Sequence, residues 1–494
     1  GEDFLSKDDT VAYDLDILGK NSLFQFINCG NTIEGRKRLA KSLSKNTYEF
    51  PKNEDIIKRN KAINELMEDE NFVLNFETLS IKMRDKHDKP LVREDNNFIK
   101  NCSDVSKKVP LVLRVLKVIM PLGLFGLLIG CLGFDLSYSV LAVYFIVALG
   151  TSWLTSSITN SVLMPLFSFS RGMEQYIYMM DAIATSEFKS ELLVELKEDI
   201  KGNGNAFAGI RKLSAIGNAF NLRYNPIIHQ FLNGTILWDL WIAGAMEKWK
   251  KDYGIYVEKW IDAVAIMEEL ISLSVIGRTR DTTFSHLENT TKPEFHGKDM
   301  YHPLIITENA ISNSINIKGE TIVITGSNMS GKTTFLRTIG MNLVLAYAGA
   351  PVCASELNAG IMNMFTSMRV VDDVSSGIST FYAEILRIKS MVERSNLDAP
   401  MICLIDEIFK GTNSADRIIG AKAVIEKLSK DNCITLVSTH DFELCDMANE
   451  HEDILNYHFQ EYYEGDSLKF DYQLREGRCT TTNALKLMSM AGIR

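Results

Sequence analysis

Four short runs contain the residues whose types and spacing could do chemistry. In "TIVITGSNMSGKTTF", Thr321 to Phe335, an apolar strand enters Gly326, Ser327, Asn328, Met329, Ser330, Gly331, Lys332, Thr333 and Thr334. This fits G-x-x-x-x-G-K-S/T, a loop that wraps backbone N–H groups around phosphates. Its lysine reaches the β- and γ-phosphates and the Thr333 hydroxyl reaches Mg2+, so the expected ligand is a nucleoside triphosphate. In "MICLIDEIFKGTNSADR" an apolar strand ends in Asp406 and Glu407. An aspartate there can hold the Mg2+ shell, and the adjacent glutamate can orient and deprotonate an attacking water. In "LVSTHDFEL" a third apolar strand ends at His440, placed to read a γ-phosphate. Finally, "DDVSSGISTFYAEI" sets Gly377, Ser379 and Thr380 just ahead of a helical run, where a helix N-terminus with a free hydroxyl can take an anion.

Such residues need strands that end together, and the rhythm of the chain supplies them. From about residue 300 onward the pattern is strand, loop and helix, with strands expected at Thr321–Thr325, Met401–Ile405 and Cys433–Ser438. That alternation predicts a parallel α/β sheet with the phosphate loop at the end of one strand. The tail "YHFQEYYEGDSLKFDYQLREG" reads as an antiparallel pair turning at Gly465-Asp466-Ser467. Residues 1–300 read as a helical domain, with apolar residues at helical spacing in "NEDIIKRNKAINELMEDENF". The expected division is therefore 1–300 helical and 301–494 α/β.

Composition narrows the setting. Of 494 residues, 46% are apolar and 23% charged, as in ordinary folded proteins with room for several domains. The net charge of -10 argues against a globally basic nucleic-acid coat and leaves room only for a local basic face. The eight cysteines form no C-x-x-C pair and read as reduced thiols of a cytosolic setting. No Cys/His cluster has zinc spacing, so no structural metal is expected. "GEDFLSKDDT" has neither the basic nor the apolar region of a signal peptide.

One stretch departs from a soluble pattern. Val118 to Phe134 is uncharged for 17 residues, and after Asp135 the run Leu136 to Ser170 is uncharged for 35. About 20 apolar residues span a bilayer core, so residues 111–170 are expected to form a transmembrane hairpin. Lys107, Lys108, Arg114 and Lys117 precede it and Arg171 follows it. Both ends then lie in the cytoplasm under the positive-inside rule, on the side of the α/β domain. The alternative is a helical hairpin buried in a large soluble core, or an oligomer contact.

Together these runs resemble the MutS family of DNA mismatch-repair ATPases. "GSNMSGKTT", "GISTFYAE", "DEIFKGT" and "THDFEL" are similar to its four nucleotide motifs, in order. "YHPLI" and "GRCTTTNALKLMSMAGI" are also similar to family segments. So are "SLFQFINCGNTIEGRKRLAKSL" and "IIKRNKAINEL", near the start of the family's helical core. The resemblance implies an ABC-type P-loop ATPase that uses ATP and Mg2+, joined to an all-α lever domain. It implies that Asn328 shapes the nucleotide loop, that Thr333 and Asp406 serve the metal, and that Glu407 serves the water and His440 the switch. It also implies that Ser379 acts on the γ-phosphate of a partner subunit, in a homodimer with composite sites, and that Ile311 and Tyr472 flank the adenine. The absence of an L-S-G-G-Q run disfavours a transporter ATPase.

Three departures shape the expectation. The family's mismatch reader carries a Phe-x-Glu motif in an N-terminal domain, whereas here Phe459-Gln-Glu461 lies in the C-terminal strands. The apolar hairpin interrupts the helical core about where the family carries its DNA clamp. The sequence stops at Met490-Ala-Gly-Ile-Arg494, ahead of the family's C-terminal helix-turn-helix. The expectation is an ATP-driven dimeric clamp on the cytoplasmic membrane, binding DNA, with its cargo open. The alternatives are a soluble DNA-structure sensor and a membrane ATPase that remodels a protein or lipid partner without DNA.

Overall fold

A computed structural model describes residues 1–494 except 7–8, 45–51, 83–95, 169–172, 203, 370–379, 411–412, 465–466 and 480–494. The chain forms two compact units interleaved along the sequence. One holds Gly1–Asn28, Lys37–Glu68 and Leu270–Arg494; the other holds Cys29–Arg36 and Asp69–Glu269. Segments Gly1–Asn28 and Lys37–Glu68, within the stretch expected as the helical domain, thus group with the α/β strands.

The α/β unit is built on strands β1 (His286–Glu288), β2 (Phe295–Met300), β3 (Asn313–Ile317), β4 (Thr321–Thr325) and β5 (Glu356–Gly360), followed by β6 (Asn363–Ser367), β7 (Met401–Asp406), β8 (Cys433–Thr439), β9 (Ile454–Glu464) and β10 (Ser467–Glu476). Its larger sheet has the order β10-β9-β4-β8-β7-β6. Five strands run parallel, and β10 closes the edge antiparallel to β9. Every residue of β4, β7 and β8 is buried, as a parallel sheet covered on both faces requires. The helices Lys332–Tyr347, Thr380–Arg394 and Ser414–Leu428 follow β4, β6 and β7. A smaller mixed sheet, ordered β1-β5-β2-β3, was not expected from the sequence. Its strands are short, and β2 and β3 carry polar, partly exposed residues such as Lys298, Asp299 and Ser314.

The N-terminal segment is tied to this unit by charge as well as by packing. Helix Thr10–Asp14 is capped by the Asp9 side chain, which accepts the Ala12 N–H. Asp14, with no exposed surface, accepts backbone N–H groups from Met368 and Arg369 at 3.0 and 3.1 Å. Asp16 pairs with Arg369 and, at 3.1 Å, with Arg337 on the helix that follows the phosphate loop. Leu15 is fully buried against Gly340 of that helix, where a Cβ would meet its methyl carbons at 2.6 Å.

The other unit is helical throughout its described residues, from Glu70–Ile81 to Trp238–Tyr253. One buried carboxylate organises its start: Glu268 accepts hydrogen bonds from Asn31, Thr32 and Ser80, while burial pushes its pKa up. Two of its helices, Leu111–Gly133 and Ser139–Ser168, are long and apolar enough to cross a membrane, and only 11% of each apolar window is buried. Arg171, the expected flanking charge, lies outside the described residues. None of the eight cysteines forms a disulfide, and seven are buried.

Candidate active site

The larger sheet brings the predicted residues to one edge because β4, β8 and β7 are successive parallel neighbours. The phosphate loop leaves β4, His440 follows β8, and Asp406 ends β7. In parallel α/β sheets the carboxyl ends of the strands form the ligand crevice.

The loop itself needs glycine at both ends. Gly326 has φ 151°, and a Cβ there would meet Ser330 Oγ at 2.8 Å and Phe459 O at 2.9 Å. Gly331 has φ 108°, in the left-handed region that glycine adopts at no steric cost, and it precedes helix Lys332–Tyr347. Met329 also takes a positive φ, 69°, and points outward with 83% of its surface exposed. Asn328 is exposed beside it, and Ser330 is buried with its hydroxyl unpartnered among the described residues.

Lys332 is buried, and its ammonium donates to Gly326 O at 2.8 Å and Ser327 O at 2.9 Å. Burial lowers its pKa, against the opposing pull of Glu407, Asp406 and Glu461. Thr333 Oγ1 donates to Asp406, 3.0 Å from both carboxylate oxygens. The Ser438 hydroxyl donates to the same carboxylate, and Lys410 lies 3.6 Å away. Next along the chain, Glu407 sits at φ 58° with its N–H donated to Ser438 O at 3.0 Å. His440 Nε2 approaches Glu407 Oε1 to 2.7 Å. That imidazole, helped by Lys410 and Lys332, holds the Glu407 pKa at about 2.

Ile311 and Tyr472 line one cavity of about 280 Å3 together with Gly331, Thr334, His302 and Phe459. Tyr472 takes φ 56° where β10 shifts register between Phe470 and Leu474. Asn313 fixes this bulge, donating to Tyr472 O at 2.9 Å and accepting the Leu474 N–H at 2.6 Å. Burial, with Arg337 nearby, lowers the His302 pKa to about 4, so its ring is neutral beside the cavity at physiological pH.

The structure thus gathers Gly326 to Thr334, Asp406, Glu407 and His440 at one edge, with Ile311 and Tyr472 at the neighbouring cavity. Ser379, Gly411, Thr412 and the segment from Thr480 lie outside the described residues.

Sequence reasoning missed the supporting roles of two carboxylates. Glu461, the last residue of the misplaced Phe-x-Glu match, is buried and accepts a hydrogen bond from Ser327 Oγ at 2.8 Å. Glu384 is buried on helix Thr380–Arg394 and accepts the N–H of Phe409, itself at φ 61°. It therefore braces the turn that carries Glu407. Glu384 closes the run "GISTFYAE", but its partner Phe409, like Ser327 for Glu461, is distant in sequence, so neither bracing role could be read locally.

Donors and acceptors of this kind fit a triphosphate with a divalent cation. The glycines admit a ligand close to the backbone, one ammonium faces the loop, and a hydroxyl–carboxylate pair offers oxygen ligands of the type Mg2+ takes. Fold and site define a P-loop α/β domain. Residues 322–494 match the family model for MutS domain V, so this part of the α/β unit is similar to the ATPase domain of MutS-family proteins.

Proposed function

We propose that this chain is an ATP-hydrolysing, membrane-anchored member of the MutS family that works as a homodimer with composite sites and acts on DNA. The carrying observation is the junction of Thr333 with Asp406 beside the Glu407–His440 contact. Lys332 would hold the β- and γ-phosphates, and Thr333 with Asp406 would hold Mg2+, which when bound neutralises charge developing on the phosphates. Glu407, ionised throughout the physiological range, would orient the attacking water and accept its proton. Its low basicity places the weight on orientation. His440 fixes that carboxylate from the neighbouring strand end and can relay changes at the γ-phosphate. Ile311 and Tyr472 would flank the base.

MutS-family proteins commonly work as dimers and bind DNA, and domain V is the family's ATPase domain. Ser379 precedes a helix separate from the phosphate loop, which favours its action on a partner's nucleotide. The exposed apolar helices within residues 111–170 support anchoring, with the ATPase domain on the cytoplasmic face.

Complementation tests this directly. Lys332→Ala and Ser379→Ala proteins should each hydrolyse ATP poorly, and mixing them should restore activity, since one intact composite site can form. No restoration despite demonstrated subunit exchange would refute the shared site, and undiminished activity in Lys332→Ala would refute the ATPase assignment. Salt-dependent binding to duplex or branched DNA separates the DNA clamp from a membrane ATPase with a protein or lipid substrate.

A further inference from the structure

We propose that the helix Pro226–Ile236 is a third lipid-facing element, lying within one leaflet beside the two long apolar helices. The inference rests on the membrane reading above and adds a surface that was not expected from the sequence.

From Tyr224 through Trp238 the chain has no Lys, Arg, Asp or Glu. The helix starts cleanly, with Asn225 accepting the N–H groups of Ile227 and Ile228 and Pro226 in its first turn. Tyr224, Ile227 and Phe231 are 72%, 81% and 61% exposed, with Ile228 beside them. Within the helix, the four-residue spacing of Ile227 and Phe231 sets them on one apolar stripe, with Tyr224 exposed in the turn that precedes it. The C-terminal turn of the same helix is fastened to both long helices. Gly234 packs so closely on Phe145 that a Cβ would fall 2.2 Å from its ring. The Tyr144 hydroxyl lies 2.8 Å from both Met120 O and Thr235 O, bridging the first long helix and the short one. The long helices it is fastened to expose large apolar side chains of their own, including Phe125, Trp153 and Leu154, all more than 60% exposed.

Lipid is the occupant this arrangement fits. Eleven residues extend about 16 Å, roughly half of a bilayer core, so the element can enter one leaflet without crossing. The charges bracketing the uncharged run neutralise each other, since Arg223 pairs with Asp239 at 3.4 Å and His229 lies 3.0 Å from the same carboxylate. Lys117 sits 4.8 Å over the Trp241 ring, the pairing of cation and indole that occupies headgroup levels.

Thiol accessibility in the full chain tests the inference. Phe231→Cys, Phe125→Cys and Lys201→Cys variants are placed in mixed phosphatidylethanolamine–phosphatidylglycerol vesicles and treated with a membrane-impermeant maleimide before and after detergent. Labelling of the parent chain gives the background. Labelling of Lys201→Cys defines the outward-facing population. Loss of labelling at both Phe231→Cys and Phe125→Cys until detergent is added is the expected result. Immediate labelling at Phe231→Cys with protection at Phe125→Cys would overturn this inference and leave the anchored reading standing. Immediate labelling at both would overturn the two together. A fluorophore on Phe231→Cys should also be quenched by lipids brominated on their acyl chains. Protection without quenching would assign the stripe to a protein contact and refute the lipid assignment.

Discussion

His440 Nε2 and Glu407 Oε1 meet at 2.7 Å across the ends of two adjacent strands, and the glutamate takes a left-handed backbone to do so. Backbone strain of that kind is held by its surroundings, here the Ser438 carbonyl and the Phe409–Glu384 brace.

The pair fixes a pH dependence. Glu407 has a folded pKa of about 2 against an ordinary 4.5, so its charge stabilises the fold above the unfolded value and is lost as pH falls toward 2. Carboxylate titration by NMR should find a midpoint near 2, moving upward in His440→Ala. An unperturbed midpoint in the parent chain would refute the pairing. Glu407→Gln should retain ATP binding while hydrolysis falls by about 100-fold or more, the usual scale for losing a positioned acid–base group.

Ser327 and Glu461 should act together on the phosphate loop. Ser327 passes its carbonyl to Lys332 and its hydroxyl to Glu461, so removing either end loosens the turn that holds the ammonium. Ser327→Ala or Glu461→Ala should weaken ATP binding by roughly 3- to 10-fold, the worth of about one hydrogen bond. The double variant should lose little more than either alone, and Glu461→Gln should recover part of the loss. Fluorescent-nucleotide titration measures this, and fully additive losses would sink the coupling.

Asp14→Ala should destabilise the α/β unit by about 3–5 kcal/mol, because Arg387 and two backbone N–H groups lose a buried charged partner. Chemical denaturation followed by a probe in that unit measures the change. A change within experimental error would show that the N-terminal helix is not needed there.

Charges at Phe125 and Ile146 should release the protein from membranes or block its insertion. Both side chains are more than 60% exposed, so their replacement disturbs little internal packing, unlike that of Phe145 against Gly234. Each charge near the centre of a spanning helix costs about 2.5–3.5 kcal/mol on insertion scales. Flotation of Phe125→Arg/Ile146→Asp protein measures this, and unchanged membrane recovery would remove the spanning assignment.

Legibility followed locality. β4, β7 and β8 announce themselves as unbroken apolar runs because a doubly covered parallel strand has no face to show water. By contrast, β6, "NMFTS", and β3, "NSINI", carry too many polar residues to stand out, and only their neighbours make them strands. Asp406 and Glu407 could be read because they sit beside each other at a strand end. Glu461 could not, since Ser327 is 134 residues away. The N-terminal helices were recognisable as helices, yet an amphipathic face does not say which unit covers it, and Asp14 is matched by backbone groups that carry no sequence signature.

Asp14 and Met368 are separated by 354 positions, and that distance sets an order of events during synthesis. At about 5–20 residues per second, the ribosome needs roughly 18–70 seconds between exposing the first and delivering the second. Throughout that interval Asp14 lacks its two backbone N–H partners, and for most of it Leu15 lacks Gly340, on which it packs in the finished protein. The intervening helical unit, with its own contacts complete, can form first. Nascent chains halted before residue 368 should therefore remain sensitive to protease near residue 15 and recruit holding chaperones there, while chains released at full length should not.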